Sequence, residues 1–188
     1  NFIQYGRTHT HQNGQMVAVG NSYHGALPFA IQEATAIGNL WSGNLLLEEA
    51  ATLANIKEAA QQGQIVHLAT HADFRPDNPL FSGLALADGW LTTLDIFNLK
   101  LNASLVTLSA CQTGRSVISG GDELLGLMRA FLASGASSLA LTLWPVEDQS
   151  TAVFMQNFYA NLLNGRSKGD ALRQAQLNFL NTGEQPQN

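Results

Sequence analysis

Two short runs carry the residue types that could do covalent chemistry. "HLATHADF" spans residues 67 to 74 and holds two of the five histidines; "LSACQTG" spans residues 108 to 114 and holds the one cysteine of the 188-residue chain. Each begins in an apolar, strand-like stretch and ends among small or polar residues. A thiol with a pKa near 8.5 is mostly protonated at neutral pH, and only its thiolate attacks a carbonyl. An imidazole beside it can take the proton and leave a competent nucleophile. In open parallel sheets ligands bind outside the carboxyl ends of the strands, where His71 and Cys111 both fall. The backbone N–H groups of Ala72 and Cys111 are candidates for stabilising the oxyanion of such an attack. The bland alternative is a free cysteine that fills space in a core.

The other histidines give less. His67 lies inside the apolar run and reads as a hydrogen-bonded core residue. The "HTH" at 9–11 has no cysteine or carboxylate at metal-ligand spacing, so no metal site is expected. His24 carries no specific signal. "GGDELLG" at 120–126 lacks the glycine-lysine pattern of a phosphate loop, which makes a nucleotide site a weak reading.

The elements that must position His71 and Cys111 follow from periodicity. Gln15 to Val19 is a short strand ending at Gly20. Pro28 opens a helix through residue 34, with proline suited to the first turn. Leu45 to Gln61, rich in alanine, leucine and glutamate, reads as a second helical stretch ended by Gly63. Ile65 to Ala69 is a buried strand leading to His71. Leu84 to Ala87 is another, closed by an Asp88-Gly89 turn. Thr92 with Asp95 three residues on is an N-cap signature for a short helix. Ala103 to Ala110 is apolar on both faces, as central strands of parallel sheets are. Leu124, Leu125, Met128, Phe131 and Leu132 stripe the next helix, with Gly135 at its end. Ser138 to Trp144 is a strand stopped by Pro145. Phe154, Met155, Phe158, Tyr159 and Leu162 stripe another helix. Ser167 and Asp170 cap the last, which turns Leu172, Ala175 and Phe179 inward. Strands alternate with helices, which implies an α/β sandwich with a largely parallel sheet.

Bulk properties narrow the function. Apolar residues make up 45% and charged residues 12%, which suits a folded domain with a sizeable core and argues against disorder. A net charge of −5 without a basic cluster argues against nucleic acid as a partner. One cysteine excludes an internal disulfide framework and fits a reducing, cytoplasmic setting. No apolar run reaches membrane-spanning length. The N-terminus shows no signal segment. The start at Asn1 suggests a piece of a longer protein, read here as one domain over 1–188.

Five blocks carry a resemblance beyond any Cys-His pair: "HLATHADF", "LVTLSACQTG", "GGDELLGLMRAFLASGA", "LALTLWPVED" and "SKGDALRQAQ". In this order and spacing the chain resembles the CHAT domain, a caspase-like domain found with tetratricopeptide repeats and abundant in bacteria. The resemblance covers roughly residues 27 to 180. It implies a three-layer caspase–haemoglobinase-like sandwich with a mostly parallel central sheet. It also implies a cysteine endopeptidase that needs no cofactor, with His71 as proton carrier and Cys111 as nucleophile. The wider group often has glycine after the histidine; here Ala72 stands there and keeps a backbone donor. In the related separases an acidic residue after the "LW" strand meets an arginine at P1, which makes Glu147 and Asp148 candidates for a basic P1 residue. Asp122 is a third, although acids that open helices also serve as caps. The expected partners are a peptide or protein substrate and a regulatory N-terminal repeat domain or partner protein. The alternative is a catalytically silent CHAT domain that binds peptides or proteins, because fold does not fix function.

Overall fold

The computed structural model describes residues 15–75, 77–111, 122–142 and 148–181. Among these residues seven strands form one sheet: β1 (Met16–Gly20), β2 (Asn44–Leu47), β3 (Ile65–Asp73), β4 (Gly83–Leu86), β5 (Gly89–Thr92), β6 (Leu105–Cys111) and β7 (Leu139–Leu141). Strands β2, β1, β3, β6 and β7 run parallel in that spatial order. The helices are α1 (Pro28–Leu40), α2 (Leu53–Gln62), α3 (Thr93–Phe97), α4 (Asp122–Ala133), α5 (Asp148–Leu163) and α6 (Lys168–Asn181).

Side-chain alternation sorts the helices into two layers. Val17, Val19, Val66, Leu68, Val106 and Leu108 face α2, α3 and α4, where Ile56, Ala60, Ile96, Leu127 and Phe131 complete the core. Met16, Ile65 and Leu105 face the other way, onto Ile37 of α1, Met155, Phe158 and Tyr159 of α5, and Ala171 and Ala175 of α6. Ala18 and Ala69 pack there against Ala30 and Ala34 of α1. The three-layer sandwich expected from the sequence is the architecture observed.

The order of the parallel strands contains one reversal. The chain leaves β1 toward β2 on one flank, then crosses back through α2 to β3 on the other flank and continues outward to β6 and β7. The carboxyl ends of β1 and β3 therefore border the topological switch point, where such sheets open a crevice. Strand β3 outlasts β1. Its residues 65–69 pair with β1, whereas Ala72 and Asp73 pair with Leu84 and Gly83 of the β4–β5 hairpin. The hairpin thus takes over the flank that β1 vacates.

Three expectations need correction. Leu45 to Gln61 is not one helix: residues 44–47 pair with β1, Glu48–Ala50 form a 3₁₀ turn, and α2 begins only after Thr52, whose hydroxyl accepts from the Asn55 N–H at 3.3 Å. A stretch with high helix propensity is drawn into the sheet because the Leu45–Leu47 backbone has a ladder to join, and tertiary pairing overrides propensity. On α4 the buried stripe is Leu127, Ala130 and Phe131, while Leu125 and Leu132 are exposed. The i, i+3, i+4 pattern holds on a face rotated from the expected one. Strand β7 covers three residues of the expected 138–144; Trp144 and Pro145 lie outside the described residues.

Other local signals hold. Thr92 and Asp95 form a reciprocal capping box at α3, with Asp95 N–H donating to Thr92 Oγ1 at 3.1 Å and Thr92 N–H to Asp95 Oδ2 at 3.0 Å. The Ser167 hydroxyl accepts the Asp170 N–H at 3.2 Å. Gly135 ends α4 at φ +117°, and the Ala136 N–H returns to the Phe131 carbonyl at 3.0 Å. A Cβ at Gly135 would stand 2.2 Å from the Leu101 carbonyl oxygen, so the position tolerates no side chain.

Candidate active site

His71 and Cys111 are register partners on adjacent parallel strands. Adjacent strands lie about 4.8 Å apart, so the two positions are immediate neighbours. Period-two alternation puts 105, 107 and 109 of β6 on the same face as 65, 67, 69 and 71 of β3, the face covered by α1, α5 and α6. Forty residues apart in the chain, the two candidates are adjacent in the sheet, at its carboxyl end.

A loop and a strand bring aromatic side chains to His71. Tyr23, in the loop after β1, lays its ring over the imidazole with centroids 4.2 Å apart and planes 21° from parallel. Trp90, at the start of β5, meets the imidazole at 6.0 Å and 64°. Tyr23 and Trp90 are 6.1 Å apart. Those three separations place Trp90 beside the imidazole, not across from Tyr23. His71 is 9% exposed.

The hairpin that carries Trp90 is tied down at its turn. Asp88 accepts the Leu53 N–H at 3.1 Å and so caps α2, and the Ala87 N–H donates to the Ala51 carbonyl at 3.0 Å. Beneath it, the Thr70 hydroxyl donates to the Ala85 carbonyl at 2.7 Å. Sequence reasoning missed both aromatic neighbours. The β5 strand was hidden because "GWLT" is too short to show alternation. Tyr23 was hidden because its contact depends on two strands meeting that are far apart in sequence.

The remaining sequence candidates fall as follows. Ala72 lies in β3 opposite Leu84 of β4, next to His71. Asp122 is the first residue of α4, which follows β6, and Asp148 is the first residue of α5, which follows β7. Both acids thus open helices, the setting in which a cap role competes with substrate contact. Glu147 and the "HTH" of 9–11 lie outside the described residues. Among the described residues there is no grouping of three metal-ligating side chains.

His67, four residues before His71 on the same face, is fully buried, as expected for a core histidine. Its Nε2 stands 2.9 Å from Glu33 Oε1 of α1, at ion-pair distance though not aligned as a hydrogen bond. Its Nδ1 is 3.4 Å from the Tyr159 hydroxyl, which donates to Thr107 Oγ1 at 2.8 Å. Burial pushes the Tyr159 phenol well above its ordinary value, the Thr107 hydrogen bond opposes that, and the nearby Glu33 carboxylate adds to it. This network bridges α1, β3, β6 and α5.

The chain matches the CHAT domain over residues 4–188. It belongs to the CHAT-domain family. Tetratricopeptide repeat protein 28 of Homo sapiens is 29% identical over 189 residues, which cover 80% of this chain and 8% of that protein. The protein of the same name from Mus musculus is 28% identical over the same shares. The chain therefore spans only a small part of the length of these curated relatives, both of which are mammalian. Among the described residues no helix is long and apolar enough to cross a membrane.

Proposed function

We propose that this CHAT domain is a cysteine-type endopeptidase working through a His71–Cys111 dyad. What carries the reading is one observation: the two positions are register partners on adjacent parallel strands, at the carboxyl end of the sheet. The thiol proton passes to His71, and the thiolate sulfur attacks the scissile carbonyl carbon. The carbonyl oxygen takes the negative charge, which the Ala72 and Cys111 N–H groups are assigned to stabilise. The intermediate collapses to a thioester as the imidazolium returns its proton to the leaving amine. Water, deprotonated by His71, then releases the acid and restores the thiol. No step calls for a metal or organic cofactor.

The substrate is a peptide or protein, with a basic P1 side chain directed to a carboxylate among Asp148, Asp122 and Glu147. Such a contact suits the planar donors of a guanidinium. The setting is the cytoplasm. The likeness to tetratricopeptide repeat proteins supports a repeat domain as regulator or partner.

A second reading, a silent or latent domain that only binds peptides, is favoured by one feature. His71 is nearly covered, with Tyr23 stacked on its face. A thiol-reactive peptide probe with arginine at the electrophilic end separates the two. Peptidase function predicts labelling that Cys111→Ala abolishes and His71→Ala reduces by roughly a hundredfold or more. Absence of labelling in the wild-type chain favours the binding domain, and labelling indifferent to His71→Ala contradicts the dyad.

A further inference from the structure

The loop between β1 and α1 is held in a conformation that side chains rarely adopt. Tyr23, His24 and Gly25 have φ of +49°, +59° and +82°, a run of three left-handed residues of which two carry side chains. For a bulky aromatic this is an outlier, and such strain persists only where surrounding contacts over-determine it. The contacts are present. The Asn21 N–H donates to the Ala69 carbonyl at 3.0 Å, extending the β1–β3 ladder past the end of β1. Asn21 Oδ1 then accepts the Tyr23 N–H at 2.9 Å. Ser22 is held from both sides: its N–H donates to Glu48 Oε2 at 3.3 Å, and its carbonyl accepts the Leu27 N–H at 2.8 Å. Its hydroxyl accepts the Gly25 N–H at 3.2 Å. The loop needs none of this merely to join a strand to a helix. What the conformation achieves is delivery of the Tyr23 ring flat onto His71, at the switch point between β1 and β3.

An imidazole exchanges protons through its edge, where both nitrogens lie. A ring stacked on its face fixes the plane without occupying that edge. We propose that Tyr23 is a positioning residue for His71: its strained loop clamps the imidazole by the face, with Trp90 walling one side, and so keeps the proton-carrying edge for the thiol at position 111. The proposal rests on the His71–Cys111 reading and goes beyond it by assigning an aromatic residue that holds the base in place.

Because the chain has one cysteine, iodoacetamide reports on Cys111 alone, without a known substrate. The rate of alkylation is followed from pH 5 to 9 in the wild type, Tyr23→Phe, Tyr23→Leu, His71→Ala and the double variant Tyr23→Leu/His71→Ala. Thermal melts check that each variant is folded. The expected result is that Tyr23→Leu lowers the neutral-pH rate by about three- to tenfold, the scale of one aromatic pair, and shifts the profile toward that of His71→Ala. Tyr23→Phe stays within about twofold of wild type. In the His71→Ala background Tyr23→Leu has no further effect, a non-additivity that a general loosening of the loop would not produce. Overturning results are a Tyr23→Leu profile equal to wild type, or an equal loss with and without His71. A His71→Ala profile equal to wild type removes the dyad itself, and so marks failure of the underlying reading separately from failure of the clamp.

Discussion

His67 and His71 sit four residues apart on one strand and point to the same face of the sheet, yet their surroundings have little in common. His67 lies at the level where β1, β3 and β6 are all paired, under α1 and α5, and meets a carboxylate, a phenol and through it a threonine hydroxyl. His71 lies past the end of β1, where the flank has passed to a hairpin, and meets two aromatic rings and the strand position of the one cysteine. Depth along the strand decides the difference. In mid-sheet every flank is filled by helix, so a polar ring must be satisfied by partners brought in for it. At the carboxyl edge the helices give way to loops, and His71 is met there by side chains from a loop and a hairpin.

Substituting the two histidines should separate these roles most widely. His67→Ala leaves Glu33 buried without its partner and is expected to cost about 3–5 kcal/mol of stability, read by urea denaturation. His71→Ala is expected to cost about 1 kcal/mol or less, yet to reduce reaction with the peptide probe by roughly 10² or more. Equal stability losses would erase the distinction.

A smaller effect sharpens the buried side. Glu33→Gln keeps the shape of the pair and removes its charge, for an expected loss of about 1–3 kcal/mol, with probe labelling of the folded fraction held within roughly twofold. Tyr159→Phe removes the bridge to Thr107 and should cost about 1 kcal/mol at neutral pH. Tyr159 also sets a pH dependence. Its folded value lies above its unfolded value near 10, so the native phenol keeps its proton while the unfolded chain ionises. Its contribution is fully present below about pH 10 and is lost as pH rises from there toward the folded value. Denaturation at pH 8 and 11 should therefore show a steeper alkaline loss in the wild type than in Tyr159→Phe.

The smallest effect belongs to the other region. Asp88→Ala removes the cap that ties the Trp90 hairpin to α2, with an expected cost of about 0.5–1 kcal/mol. Faster amide exchange in β5, with β3 at His67 unchanged, would locate the loss at the site end.

Much of this was legible in the sequence, and the failures have physical causes. The strands holding His71 and Cys111 announced themselves as apolar runs ending in small residues, and capping pairs at Thr92–Asp95 and Ser167–Asp170 marked helix starts, because these signals are local. Leu45–Leu47 was misread because its pairing with β1 is non-local and outweighs the helical propensity of the residues around it. The stripe on α4 was found with the right spacing but on a face rotated from the buried one: Phe131 belongs to both, whereas Leu125 and Leu132 satisfy the same period and are exposed. The clamp of Tyr23 and the Glu33–His67 pair were invisible for a common reason. Each joins an element on one side of the switch point to one on the other, and no short window of sequence contains both partners.

The central claim is that positions 71 and 111 act as one unit. The most direct test is the titration of the His71 imidazole by NMR in the wild type and in Cys111→Ala, with His67 as the internal control. A thiol and an imidazole that share a proton titrate as a coupled pair. Removing the thiol is expected to move the His71 midpoint and to leave the His67 signals in place. A His71 titration that is the same with and without Cys111 would contradict it.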